Sequence, residues 1–144
     1  MALGISTACL YPMAMEDSLQ TLIDSGFREF EIFINTYSEM EPEFLTMLEE
    51  KLKPQGCRVK SLHPFTSGFE SYLLFSNYER RFQDGASFYR RYFEMARRLG
   101  AEVLVIHGDR SFEKSGLNDR EYYDRFGILS RIAREYGVTL AQEN

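Results

Sequence analysis

Apolar residues recur along the chain in two alternating rhythms: a stripe at helical spacing that ends in glycine, then a short apolar run that ends in a polar residue. From Met15 to Ser25, the residues Met15, Leu19, Leu22 and Ile23 fall on one helical face, and Gly26 follows where a helix end favours a left-handed residue. Phe30 to Ile34 then reads as a strand. Pro42 suits a first helical turn, and the stripe Leu45, Leu48, Leu52 runs from it to the stop at Pro54-Gln55-Gly56. Arg58 to Leu62 reads as the next strand. A third helix carries Phe88, Tyr92, Met95, Ala96 and Leu99 on one face and Arg90, Arg91, Glu94, Arg97 and Arg98 on the other, closing at Gly100. Val103 to Ile106 is extended; Tyr122, Phe126, Leu129, Ala133 and Tyr136 form a fourth helical face; Gly137 stops it, and Val138 to Gln142 is extended again. With Leu3 to Ser6 opening the chain, the pattern predicts five strands and four helices in a single domain over residues 1–144.

Strands separated by helices favour parallel pairing, because a parallel neighbour needs a crossover long enough to hold a helix. The fold class is therefore α/β, closed as a barrel or left as an open, flavodoxin-like sheet. A glycine-rich phosphate loop would favour the open sheet, but the turn after the first strand reads Thr7-Ala8-Cys9-Leu10-Tyr11-Pro12.

Composition narrows the function. With 44% hydrophobic and 27% charged residues, a folded core is expected. The net charge of -5 gives no field to attract a phosphate backbone, so nucleic acid is not an expected partner despite the local pairs Arg80-Arg81, Arg90-Arg91 and Arg97-Arg98. Cys9 and Cys57 have no paired spacing of a zinc knuckle or disulfide framework. No apolar run approaches the roughly 18 residues of a membrane span, and no basic-then-apolar leader opens the chain. A cytoplasmic location and no membrane partner are the expectations.

The candidate chemistry lies where the apolar runs stop. His63 and His107 each fall seven residues after a glycine, and Glu143 falls six after Gly137, so all three are expected at strand C-termini. In a parallel sheet these ends share one edge, and with strands about 4.8 Å apart the side chains could converge within roughly 10 Å. Two imidazoles and a carboxylate suit zinc, manganese or a similar divalent ion, and they are the chain's only two histidines. Glu31, inside Phe30-Glu31-Ile32-Phe33, either faces the barrel interior near a polyol or sits on an edge strand in water. Asp109 and Arg110 either bind a substrate hydroxyl or phosphate or form a salt-bridged loop. The aromatic segment from Phe65 to Phe82 either covers the mouth of a site, with Phe65 against a sugar face, or packs as a short helix on the rim.

The strand ends Ser61-Leu62-His63-Pro64, Val105-Ile106-His107-Gly108 and Ala141-Gln142-Glu143-Asn144, with Gly26-Phe27-Arg28-Glu29-Phe30-Glu31-Ile32, resemble the xylose-isomerase-like barrel superfamily, which includes sugar phosphate isomerases/epimerases and, more distantly, apurinic endonucleases. The resemblance implies a (β/α)8 TIM-barrel type truncated after the fifth strand, since such a barrel takes about 250 residues. It implies that Glu143 binds metal and takes part in acid-base chemistry, and that His63 and His107 line the site as substrate contacts or metal ligands. The implied cofactor is a divalent ion (Mn, Zn, Mg or Co), and the implied substrate a small sugar or sugar phosphate. The implied reaction is proton transfer beside the carbonyl through an enediolate.

Ligands from the later strands of such a barrel are absent from this sequence, so the 144-residue chain alone is expected to show no turnover and to self-associate through its exposed edges. The competing readings are an apurinic-endonuclease-like metal-dependent phosphodiesterase and a noncatalytic half-barrel that binds or assembles.

Overall fold

The computed structural model describes residues 3–109 and 116–143. Its strands are β1 (Gly4–Ser6), β2 (Glu29–Phe33), β3 (Arg58–His63), β4 (Val103–Ile106) and β5 (Thr139–Gln142). All pair in parallel, in the order β1-β2-β3-β4-β5. A flavodoxin-like sheet would reverse its order at a switch point, so unbroken chain order removes that alternative and leaves the barrel pattern.

The helices are α1 (Met15–Asp24), α2 (Pro42–Leu52), α3 (Glu70–Leu73), α4 (Glu79–Leu99) and α5 (Asp119–Glu135). Four were expected from periodicity, and α3 falls in the aromatic segment, where a short helix was one of the two readings. The third predicted helix starts at Glu79; of its expected stripe Tyr92, Met95 and Ala96 are buried and Phe88 and Leu99 partly so, and Phe82, Ala86, Tyr89 and Phe93 join them in the core. Asn118 caps α5 with a capping box: its side chain accepts from the Glu121 N–H at 3.0 Å, and Glu121 accepts from the Asn118 N–H at 2.9 Å.

Side-chain alternation divides the sheet into two unlike faces. Phe30, Ile32, Val59, Leu62, Leu104, Ile106 and Leu140 are buried with the helix stripes in one core. Each such residue contributes about 1.5–3 kcal/mol by leaving water. The opposite face carries Glu31, Phe33, Ser61, Val103, Val105 and Ala141, all only partly buried. This is the face that would line a barrel.

The register in β3 decides which face His63 occupies. Phe30 pairs with Val59 but Glu31 pairs with Ser61, so Lys60 is an extra residue in a bulge. Without it, strict alternation from the buried Val59 would turn both Ser61 and His63 toward the helices. The bulge resets the alternation, and Leu62 takes the helix side while Ser61 and His63 take the inner side.

The aromatic segment divides its residues between packing and exposure. Phe75 and Phe82 are buried, and Phe69, Tyr72 and Tyr78 are exposed. Arg125 of α5 is 8% exposed and ties this segment down by donating to the carbonyls of Leu74 and Ser76 and to Glu79, with its guanidinium 4.6 Å from the Phe82 ring centroid. Among the described residues, no helix is long and apolar enough to cross a membrane.

Two helical glycines give opposite expectations. A Cβ on Gly85 would lie 2.8 Å from the Leu73 carbonyl oxygen and 3.1 Å from Leu74 Cδ2, where α3 crosses α4. A Cβ on Gly127 would meet nothing closer than Arg131 Nη1 at 3.8 Å. Alanine is favoured over glycine in a helix by about 0.5–1 kcal/mol, whereas overpacking costs about 1–3 kcal/mol. Urea unfolding should show Gly127→Ala stabilising and Gly85→Ala destabilising.

Candidate functional site

Parallel pairing brings His63, His107 and Glu143 to one edge of the sheet, each at or just beyond a strand C-terminus. Their nitrogen and oxygen atoms come much closer than the sequence required. His63 Nε2 lies 3.0 Å from His107 Nε2, His107 Nε2 lies 2.9 Å from Glu143 Oε2, and His63 Nε2 lies 3.5 Å from the same oxygen. Three ligands of one tetrahedral zinc, each at about 2.0–2.1 Å, are spaced roughly 3.3 Å apart. The triangle here matches one face of that tetrahedron, and the three residues form a group that could hold a metal ion.

The surroundings fix the direction of the His63 ring. Its plane stacks on Phe33 with centroids 4.7 Å apart, and its Nδ1 lies 3.4 Å from the Pro64 carbonyl. With the proton assigned to Nδ1 by that carbonyl, the Nε2 lone pair points at His107 and Glu143. Two imidazole nitrogens and a carboxylate oxygen at these distances need a shared proton or a cation between them. Phe33 is itself held, because its backbone N–H donates to Thr7 Oγ1 at 2.9 Å. Thr7 is anchored in turn by the Ser18 hydroxyl, which donates to the Thr7 carbonyl at 2.7 Å.

The three residues stand at one end of an open concavity of about 690 Å³ that is also lined by Ser6, Glu31, Phe33, Ser67 and Gln142. Glu31 faces this interior, not an edge, since β2 pairs on both sides; it accepts from the Ser61 hydroxyl at 3.0 Å. Phe65 sits apart from the lining, edge-on to Tyr92 with centroids 6.2 Å apart, and Ser67 of the same turn reaches the concavity instead. Asp109 is exposed and does not line the concavity. Arg110 lies outside the described residues.

Sequence reasoning missed Glu70, which is fully buried. It accepts from the backbone N–H groups of His107 and Gly108, both at 2.7 Å, and from the Tyr89 hydroxyl at 2.9 Å. Burial, followed by the Glu70 charge, pushes the Tyr89 phenol well above its ordinary value, so Tyr89 is a neutral donor. Burial likewise pushes Tyr92 up to about 12. A signal was present: Glu70 is the one charged residue between Pro64 and Tyr78.

No family model matches the chain, and no curated protein matches it. Solved structures match closely in shape. A D-tagatose 3-epimerase-like protein superposes with a TM-score of 0.76 at 19% identity, over 100% of this chain and 53% of the other. The D-psicose 3-epimerase of Clostridium cellulolyticum H10, solved with D-tagatose, gives 0.75 at 13% identity over 99% of this chain and 52% of the other. A xylose isomerase domain protein from Planctomyces limnophilus gives 0.71 at 15% identity over 100% and 52%. The fold is thus that of five strand-helix steps of a TIM barrel, and the chain spans about half the length of these structures.

Gly108 is a local test of the strand end. Its φ of 75° is in the left-handed region, and a Cβ there would collide with the Tyr122 hydroxyl and lie 2.7 Å from Gln142 Nε2. Gly108→Ala should cost about 1–3 kcal/mol in urea unfolding, and Tyr122→Phe in the same chain should recover part of the loss by removing the colliding oxygen.

Proposed function

We propose that this chain supplies part of the active site of a metal-dependent sugar or sugar phosphate isomerase/epimerase, with His63, His107 and Glu143 as the residues that hold the metal. The observation that carries the reading is the convergence of these three side chains at the C-terminal edge of a parallel sheet, the edge where barrels of this fold place their chemistry. The neighbours in fold are sugar epimerases and isomerases, which supports the substrate class.

A divalent ion bound there would polarise a sugar oxygen and stabilise negative charge developing beside the carbonyl. The chain's own residues supply orientation and proton transfer. Glu143, half-exposed at the mouth, removes a proton from the carbon next to the carbonyl to give an enediolate. Return of that proton to the neighbouring carbon gives the isomer; delivery to the opposite face of the original carbon gives the epimer and calls for a second carboxylate. Glu31 and Ser61, farther down the inner face, accept and donate hydrogen bonds to substrate hydroxyls. Phe33 offers an apolar surface at the same level.

A second reading rests on the approach of both histidine Nε2 atoms to one carboxylate oxygen, a ligand geometry that equally suits an apurinic-endonuclease-like phosphodiesterase. The net charge of -5 weighs against a nucleic-acid substrate. The noncatalytic half-barrel differs from both in having no use for the metal.

Equilibrium dialysis with Co²⁺, Zn²⁺ and Mn²⁺ distinguishes these. The isomerase/epimerase and phosphodiesterase readings expect one ion per chain, lost or weakened at least tenfold in Glu143→Ala and in His107→Ala. Equal retention by wild type and Glu143→Ala would leave the noncatalytic module. Activity on ketoses against an abasic-site oligonucleotide, measured on a complete barrel, separates the two enzymes. The 144-residue chain alone should show no turnover, and it should sediment as an oligomer at micromolar concentration because β1 and β5 have no outer neighbour among the described residues. A stable monomer would contradict the latter.

A further inference from the structure

We infer that Glu70 is a positioning residue for the candidate metal centre, setting the direction of His107 by taking the two backbone N–H groups at the end of β4. This rests on the metal-site reading above. After Ile106 the chain leaves the sheet: Ile106 pairs with Gln142, and the last ladder bond runs from the Glu143 N–H to the Ile106 carbonyl at 2.8 Å. The N–H groups of His107 and Gly108 are both received by one carboxylate oxygen of Glu70, at 2.7 Å. Two successive backbone N–H groups thus meet on one oxygen, Glu70 Oε2.

A fully buried carboxylate is costly to keep unless its charge is met by donors. Its donors include these two amides and the Tyr89 hydroxyl, and Tyr89 is joined to Thr66 at 3.0 Å. The arrangement couples the turn after β3 to the end of β4. His63 stands at the start of that turn and His107 at the end of the other strand, so Glu70 fixes the separation of the two imidazoles through the backbone.

The test replaces Glu70 twice. Glu70→Leu keeps the volume and removes the acceptor, whereas Glu70→Gln keeps an acceptor oxygen for the two amides and removes the charge. Co²⁺ binding, followed by its visible absorption, should weaken at least tenfold in Glu70→Leu and stay within about threefold of wild type in Glu70→Gln. In the metal-free wild type, the His107 and Gly108 amide protons should resonate downfield and exchange slowly; both features should vanish in Glu70→Leu while the amide of Leu104 keeps its protection. Unchanged Co²⁺ binding in Glu70→Leu, or equal loss in both variants, would overturn the proposal. If Glu70→Leu does not fold, the wild-type amides decide, and ordinary shifts with rapid exchange overturn it. A wild type that binds no Co²⁺ yet shows the protected amides would refute the metal reading and leave the Glu70 clamp standing.

Discussion

Parallel pairing in chain order forces every strand of this sheet to end at the same edge, and the candidate site follows from that constraint together with the alternation of side chains. A residue one place past the last ladder bond is carried to the edge whatever its identity, but its face is set by counting back along the strand. In β4 and β5 the count is regular, and His107 and Glu143 reach the inner side directly. In β3 the count is broken by Lys60, and His63 reaches the same side only because the bulge resets it. The site therefore depends on one irregularity in an otherwise regular sheet.

Two carboxylates meet this edge in opposite ways. Glu143 is half-exposed and directs an oxygen at the imidazoles, where charge and access suit a ligand and a proton carrier. Glu70 is fully enclosed and spends its lone pairs on backbone amides and a tyrosine. Burial raises the cost of any missing hydrogen bond, which is what makes the second carboxylate rigid. Aromatic contacts complete the frame: Phe33 holds one face of His63, and His63 and His107 meet edge to face at 4.8 Å.

The sequence made the strand-helix alternation legible because glycine ends four of the units and the apolar stripes have the right period, and it made the three strand-end residues legible because they recur at nearly constant distance from those glycines. It did not reveal the bulge, since Arg-Val-Lys-Ser-Leu-His fits no alternation and a bulge has no residue signature of its own. Nor did it reveal the role of Glu70, because that carboxylate binds N–H groups common to every residue. The inward direction of Glu31 became clear only with a strand on each side of β2. Where side chain recognises side chain the pattern could be read; where side chain recognises backbone it could not.

The most direct test of the central claim is anomalous diffraction at the zinc edge from crystals of the protein grown or soaked with Zn²⁺. A single strong peak is expected about 2.0–2.2 Å from His63 Nε2, His107 Nε2 and a Glu143 carboxylate oxygen. A map with no peak among these three residues, or with zinc only at exposed acidic side chains elsewhere, would contradict it.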